Sequence, residues 1–171
     1  MSERRYYGHS MPSTPDYTYE STDLTESVER FVAAPAEDIF AVLADPSRHK
    51  DIDGSGTVVE SKEPSRTVGL GDTFGMSMKK VIGYSMVNTI IEFEQDRRIA
   101  WQTKPPQGIM AKMIGGRIWR YELTPVDGGT RVKETWDITQ ERVPAAVKPL
   151  RGQTKKALQG TLDRIATLLE S

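Results

Sequence analysis

The chain has no cysteine and only two histidines, His9 and His49, among its 171 residues. The first absence excludes disulfides, thiolate nucleophiles, iron–sulfur clusters and thiolate zinc sites together. The second leaves too few imidazoles for a multi-histidine metal centre. An excess of charge is missing as well, since 23 Lys and Arg stand against 24 Asp and Glu for a net charge of -1. Such a chain exerts no long-range pull on nucleic acid or on an acidic membrane surface. No apolar run is long enough to cross a bilayer, and the first residues, Met1 to Tyr7, carry charge where a secretion signal needs an apolar stretch. These absences point to a cytoplasmic domain without metal or cofactor, whose function rests on shape, aromatic rings and carboxylates.

What is present divides into a tail and a domain. Residues 1–22 are rich in Ser, Thr, Pro and Tyr without periodicity, and read as a flexible tail whose tyrosines (Tyr6, Tyr7, Tyr17, Tyr19) are free to dock on a partner or on the domain. From residue 23 to 171 the pattern is that of one domain. Thr25 to Val32 reads as a strand, and a helix starts within Ala33 to Asp38, with Pro35 tolerated in its first turn, Glu37 and Asp38 at its positive end, Ile39, Phe40, Val42 and Leu43 as its apolar stripe, and Asp45-Pro46 stopping it. A second short helix follows over Pro46 to Asp51. Strands are then expected over 57–60, 72–82, 84–94, 98–103, 116–124 and 130–139, the last two joined at Asp127-Gly128-Gly129. Short connections without intervening helices imply an antiparallel sheet. From Pro144 onward Val147, Leu150, Leu158, Leu162, Ile165 and Leu169 recur at helical spacing, as one long amphipathic helix with Pro149 disturbing its start.

The order and several local motifs resemble one family. Val28-Glu29-Arg30-Phe31-Val32-Ala33-Ala34-Pro35, running into a helix that ends at Asp45-Pro46, resembles the opening of the START-like (SRPBCC, Bet v 1-like) superfamily. Arg98-Ile99-Ala100-Trp101 resembles its central strand, and Gly129-Thr130-Arg131-Val132 to Trp136 its last strand. The nearest branch is similar to polyketide cyclase/dehydrase and lipid-transport proteins. The resemblance implies an α+β helix-grip fold: a curved antiparallel sheet of about six to seven strands wrapped around a long C-terminal helix, with two short helices after the first strand. It also implies a hydrophobic cavity between sheet and helix. Members include lipid carriers, aromatase/cyclases, hormone and quinone binders and chaperone cofactors, so the fold does not select a function.

Strand alternation supplies the cavity's walls. The inward set is Phe74, Met76 and Met78; then Val87, Thr89, Ile91 and Phe93; then Ile99, Trp101 and Thr103; then Trp119, Tyr121 and Leu123; then Val132, Glu134, Trp136 and Ile138. All three tryptophans fall on that face, while Arg98, Gln102, Arg120, Glu122, Arg131, Lys133 and Asp137 fall on the other. Ligand contacts are expected from Phe74, Met76, Met78, Ile91, Trp101, Trp119, Tyr121, Glu134 and Trp136, with Leu158 and Leu162 from the helix; dense core packing of the same residues is the alternative.

Glu134 stands among apolar neighbours. It is either a functional carboxyl with a raised pKa, the partner of Arg117 or Arg97, or turned outward by a bulge. Glu134 and Tyr121, with His49 behind them, are the candidate acid–base groups. The Pro- and Gly-flanked, Met-bearing stretch 105–116 reads as a lid, an ordinary loop or a homodimer contact. Asp51-Ile52-Asp53-Gly54 fails as a calcium loop, and Lys148, Arg151, Lys155 and Lys156 read as a solvated helix face. The leading function is binding or transport of a hydrophobic small molecule (a lipid, polyketide or quinone-like compound). A polyketide aromatase/cyclase or dehydratase is the alternative, and a protein-interaction module with a vestigial cavity the third.

Overall fold

A computed structural model describes residues 15–60, 64–78, 84–106, 108, 112 and 114–170, with the backbone alone at 59, 60, 78 and 84. The expectations for residues 1–14, for the turn near Gly83 and for residues 107, 109–111 and 113 of the 105–116 stretch lie outside the described residues. The elements in chain order are β1 (Tyr17–Ser21), β2 (Thr25–Val32), α1 (Ala36–Leu43), a 3-10 turn (Pro46–Arg48), α2 (His49–Ile52), β3 (Val58–Glu60), β4 (Thr73–Met78), β5 (Tyr84–Glu94), β6 (Arg98–Lys104), β7 (Arg117–Val126), β8 (Gly129–Asp137), α3 (Pro144–Val147), a second 3-10 turn (Lys148–Leu150) and α4 (Arg151–Leu169). Among the described residues the strands make one eight-stranded antiparallel sheet in the order β1-β2-β8-β7-β6-β5-β4-β3. The long helix α4 packs against β2 and β8.

Local chemistry accounts for each boundary that positions the cavity. Pro35, extended at ψ 149°, caps α1, and Glu37 and Asp38 occupy its first turn. Ile39, Phe40, Val42 and Leu43 of α1 are buried. Asp45 then accepts from the Ser47 N–H at 3.0 Å and starts the 3-10 turn that carries the chain into α2. The β7–β8 hairpin closes through Asp127-Gly128, where Gly128 adopts φ +80° and replaces a side chain that would resist the left-handed turn. Pro149 breaks the terminal helix, so α4 has 19 residues, a length of about 28 Å, and is shorter than the uninterrupted apolar repeat suggests.

Two features depart from the sequence reading. Tyr17–Ser21, counted with the tail, is an edge strand paired with β2 from Tyr17↔Arg30 to Ser21↔Glu26. Its tyrosines face α4: the Tyr17 hydroxyl donates to Asp163, and the Lys155 ammonium lies 4.4 Å from the centre of the Tyr19 ring. Nor is the basic face of α4 simply solvated. Arg151 and Lys155 each approach the buried Glu26 carboxylate to 3.6 Å, Arg151 donates at 2.6 Å to the Thr22 and Asp23 carbonyls, and Lys148 pairs with Asp23 at 2.9 Å. The helix therefore holds the β1–β2 hairpin against the sheet.

The far face of the sheet is polar, as its alternation requires. There Arg120 grips both Glu92 oxygens, the nearest at 2.7 Å, and reaches Asp137 at 3.3 Å; Arg98 pairs with Glu122 at 2.8 Å.

Candidate functional site

Between the concave face of the sheet and α4 lies a cavity of about 200 Å³. Three cross-strand rows build its floor. Pairing sets Glu134 beside Tyr121, Trp136 beside Trp119 and Trp101, and Arg117 beside Thr103, Asn88 and Phe74. The roof is Ala157, Leu158 and Thr161 of α4, and the mouth opens between Leu150, Gln153 and Thr154 on one side and Asp53 to Val58 on the other. A tight backbone contact shapes that mouth. A Cβ at Gly54 would meet the Ala157 carbonyl oxygen at 2.2 Å, so only glycine lets this loop press on the helix, where its N–H donates to Thr161 at 3.1 Å.

The expected ligand contacts separate into four groups. Met76, Trp101, Trp119, Tyr121, Glu134, Trp136 and Leu158 line the cavity. Phe74 and Leu162 are buried in the surrounding core, 1% and 0% exposed, and do not line it. Ile91 is displaced by a bulge: the β5–β6 register shifts between Ile90 and Glu92, so Met86, Asn88 and Ile90 face inward where Val87, Thr89 and Ile91 were expected. The side chain of Met78 lies outside the described residues.

The polar groups in this apolar wall are few and buried. Glu134, 2% exposed, accepts a 2.6 Å hydrogen bond at Oε1 from the Tyr121 hydroxyl. Neither of its expected partners takes it up, because Arg117 pairs with Glu141 at 3.3 Å and Arg97 with Glu94 at 3.5 Å, and β7–β8 pair without a bulge. Burial raises the Glu134 carboxyl to about 8; Tyr121's hydrogen bond opposes the rise and the nearby Asp53 charge adds to it. At neutral pH the group is therefore chiefly the neutral carboxylic acid. Tyr121 is raised well above the usual phenol range by burial, then by the Glu134 charge.

Sequence reasoning gave His49 and Asn88 too little weight. The His49 ring is stacked on Trp101 at 4.9 Å and meets Phe74 edge-on at 5.2 Å. Its Nε2 lies 2.8 Å from the Leu43 carbonyl oxygen, which can only accept, so Nε2 carries the hydrogen and Nδ1 is a bare acceptor. Burial holds the imidazole below its ordinary pKa. Asn88 accepts at Oδ1 from the Thr103 hydroxyl at 2.6 Å, leaving its amide hydrogens. Three lining residues thus each keep a buried polar atom with no partner among the described residues: His49 Nδ1, Asn88 Nδ2 and Glu134 Oε2. The doublet Ile90-Ile91, apolar on both faces, was the one local signal of the bulge that turns Asn88 inward. Nothing near His49 in sequence signals its Trp101 contact. Among the described residues no group of three His, Asp or Glu is placed to hold a metal ion.

Comparisons with known proteins agree with this architecture. A Mycobacterium tuberculosis protein, the uncharacterized protein Rv0088, is 35% identical over 117 residues, covering 67% of this chain and 46% of its own length. The chain therefore spans about half the length of the curated relatives it matches. The fold is shared with protein Ms6760 from Mycobacterium smegmatis (TM-score 0.65, 17% identity, 90% of this chain and 95% of that one). It is also shared with a protein from Arthrobacter aurescens (TM-score 0.70, 12% identity, 90% and 91% covered). Residues 23–170 match the family model for polyketide cyclase/dehydrase and lipid transport, and the chain belongs to that family.

Proposed function

We propose that the protein binds a hydrophobic small molecule carrying one or two uncharged polar groups, in the cavity between sheet and helix. One observation carries this reading: an aromatic wall in which Glu134, His49 and Asn88 each retain an unpartnered buried polar atom. Buried polar groups without partners cost about 1–3 kcal/mol each, and a bound molecule that satisfies them recovers that cost. Volume narrows the class. A cavity of about 200 Å³ suits a compact ring system or a short acyl chain better than a two-chain lipid, since about 150 Å³ already admits a benzene ring. A cytoplasmic carrier or receptor is the setting that the composition favours.

The three tryptophans line the cavity and make it self-reporting. Titrating the full chain with a naphthoquinone should quench intrinsic fluorescence along a saturable curve, and native mass spectrometry should detect a one-to-one adduct. Linear, unsaturable quenching with no adduct would refute binding.

A second reading, cyclisation or dehydration of a polyketide-like chain, is favoured by one feature. The acid Glu134, near pH 8 in its titration, and the bare Nδ1 of His49 are a proton donor and a proton acceptor in one cavity. Turnover of a polyketide analogue that survives Glu134→Gln would remove that residue from any such chemistry.

A further inference from the structure

The strand β1 stands at one end of the sheet, and among the described residues no strand pairs with its outer edge. It precedes residues 23–170, so it lies outside the part of the chain that matches the family model. Its open backbone groups follow from the pairing with β2. The hairpin closes with the Thr22 N–H donating to the Thr25 carbonyl at 3.0 Å, and hydrogen-bonded and open pairs then alternate back along the ladder. Glu20 and Thr18 are therefore bonded to β2, while Tyr17, Tyr19 and Ser21 turn their N–H and C=O groups outward. Edges of this kind are ordinarily blunted by lysine, proline or a bulge. The sequence of β1 carries neither lysine nor proline, and its register with β2 is unbroken.

A second copy of the same strand fits this edge in one register. With a two-fold axis at Tyr19, the two copies of Tyr19 face each other and exchange both backbone hydrogen bonds, and each Tyr17 does the same with Ser21 of the second copy. Thr18 then faces Glu20. An axis at Glu20 would set that carboxylate against its own copy, and an axis at Thr18 would set Asp16 against Glu20, so like charge disfavours both. The side chains agree with the register at Tyr19. This residue, 43% exposed, is the large apolar side chain that β1 leaves to solvent, and the axis covers it with its own copy. Charge completes the fit. Above Tyr17 stands Asp163, which accepts from the Tyr17 hydroxyl and has a half-exposed side chain. Above Ser21, which donates to the buried Glu26 carboxylate at 2.7 Å, stand Arg151 and Lys155. Because Tyr17 faces Ser21 across the axis, the acidic part of α4 in one copy faces the basic part in the other. A five-residue edge is smaller than the ~800 Å² per partner of a standard interface, which sets a reversible dimer with a dissociation constant in the micromolar range.

We infer that β1 joins two copies of the chain edge to edge about a two-fold axis at Tyr19, so that one sheet runs through both. Sedimentation equilibrium of the full chain over a concentration series from about 1 µM to 1 mM tests it. The wild type should pass reversibly from monomer to dimer within that series. Tyr19→Pro should stay monomeric throughout. Proline is tolerated on an edge strand where the N–H points away from its neighbour, so the bonds to β2 survive while the central pair between the copies is lost. If that variant fails to fold, Tyr19→Cys reads the same contact. The chain has no other thiol to compete, and facing Cα atoms about 5.5 Å apart lie within disulfide reach. Under mild oxidation Tyr19→Cys should cross-link at least tenfold faster than Thr124→Cys, an exposed position on β7 with β8 and β2 between it and β1. A wild type that is monomeric across the series would overturn the proposal and leave the edge to a different strand. A dimer that survives Tyr19→Pro, or equal cross-linking rates for the two cysteine variants, would overturn it as well.

Discussion

Replacing Glu134 by Gln should make the protein more resistant to alkaline conditions, by an amount the cavity's burial sets. In the folded state the carboxyl titrates near 8, against 4.5 for an unperturbed Glu, chiefly because burial penalises its charged form. Below about pH 4.5 both folded and unfolded chains hold the proton. Between 4.5 and 8 the unfolded chain releases it while the folded one retains it, so the folded state loses stability as pH rises. A difference of this size corresponds to a loss on the order of 3–5 kcal/mol by pH 8.5. Gln does not ionise, and its amide oxygen still accepts from Tyr121. Every other titrating group is common to both proteins and cancels in the comparison. Urea unfolding at pH 5, 7 and 8.5 reads the effect. The midpoint of Glu134→Gln relative to wild type should move up by roughly 2 M between the extreme pH values, at a slope of about 2 kcal/mol per molar urea. Parallel pH profiles for the two proteins would show that Glu134 is ionised in the folded state, and the argument for a neutral acid in the cavity would fall.

Three further perturbations test separate parts of the structure. His49 is held neutral by burial, so below its ordinary pKa of 6.5 the unfolded chain takes up a proton that the folded one refuses; stability should fall on acidification, and His49→Gln should flatten that limb of the pH profile measured by urea unfolding. Gly54→Ala places a methyl group against the Ala157 carbonyl at 2.2 Å and should cost about 2 kcal/mol or more, seen as a lowered melting temperature, whereas Gly152→Ala, on an open stretch of α4, should raise it slightly. Arg120→Met removes the pairs to Glu92 and Asp137 on the partly exposed outer face and should cost about 1 kcal/mol, shrinking in high salt; a salt-independent loss of several kcal/mol would contradict the assignment of that face to solvent.

Much of the architecture is legible residue by residue. Alternation along 98–103, 117–123 and 130–138 separates Trp101, Trp119, Tyr121 and Trp136 from the outward Arg98, Arg120 and Lys133, and the structure preserves that division. Period-two patterning works there because these strands pair without a register shift. It fails in β5, where one extra residue near Ile91 inverts the faces for the preceding half of the strand. Both alternating sets in that half contain apolar residues, so alternation alone had no means of choosing. It fails again at Tyr17–Ser21, where a short polar strand gains its stability from pairing with β2 and from the charges of α4, none of which is local.

The chemistry follows the same division. Composition alone removed thiols, metal clusters and strong fields from consideration, and spacing alone placed Glu134 and the tryptophans on one face, because both depend only on residue identity and the two-residue repeat of a strand. The protonation of Glu134, the bare nitrogen of His49 and the free amide of Asn88 depend on which groups are buried together. His49 and Trp101 are 52 residues apart in sequence, and Asn88 turns inward only because of a bulge. Tertiary packing decided these, since desolvation and hydrogen-bond partnership are properties of an enclosed space that no single segment of the chain contains.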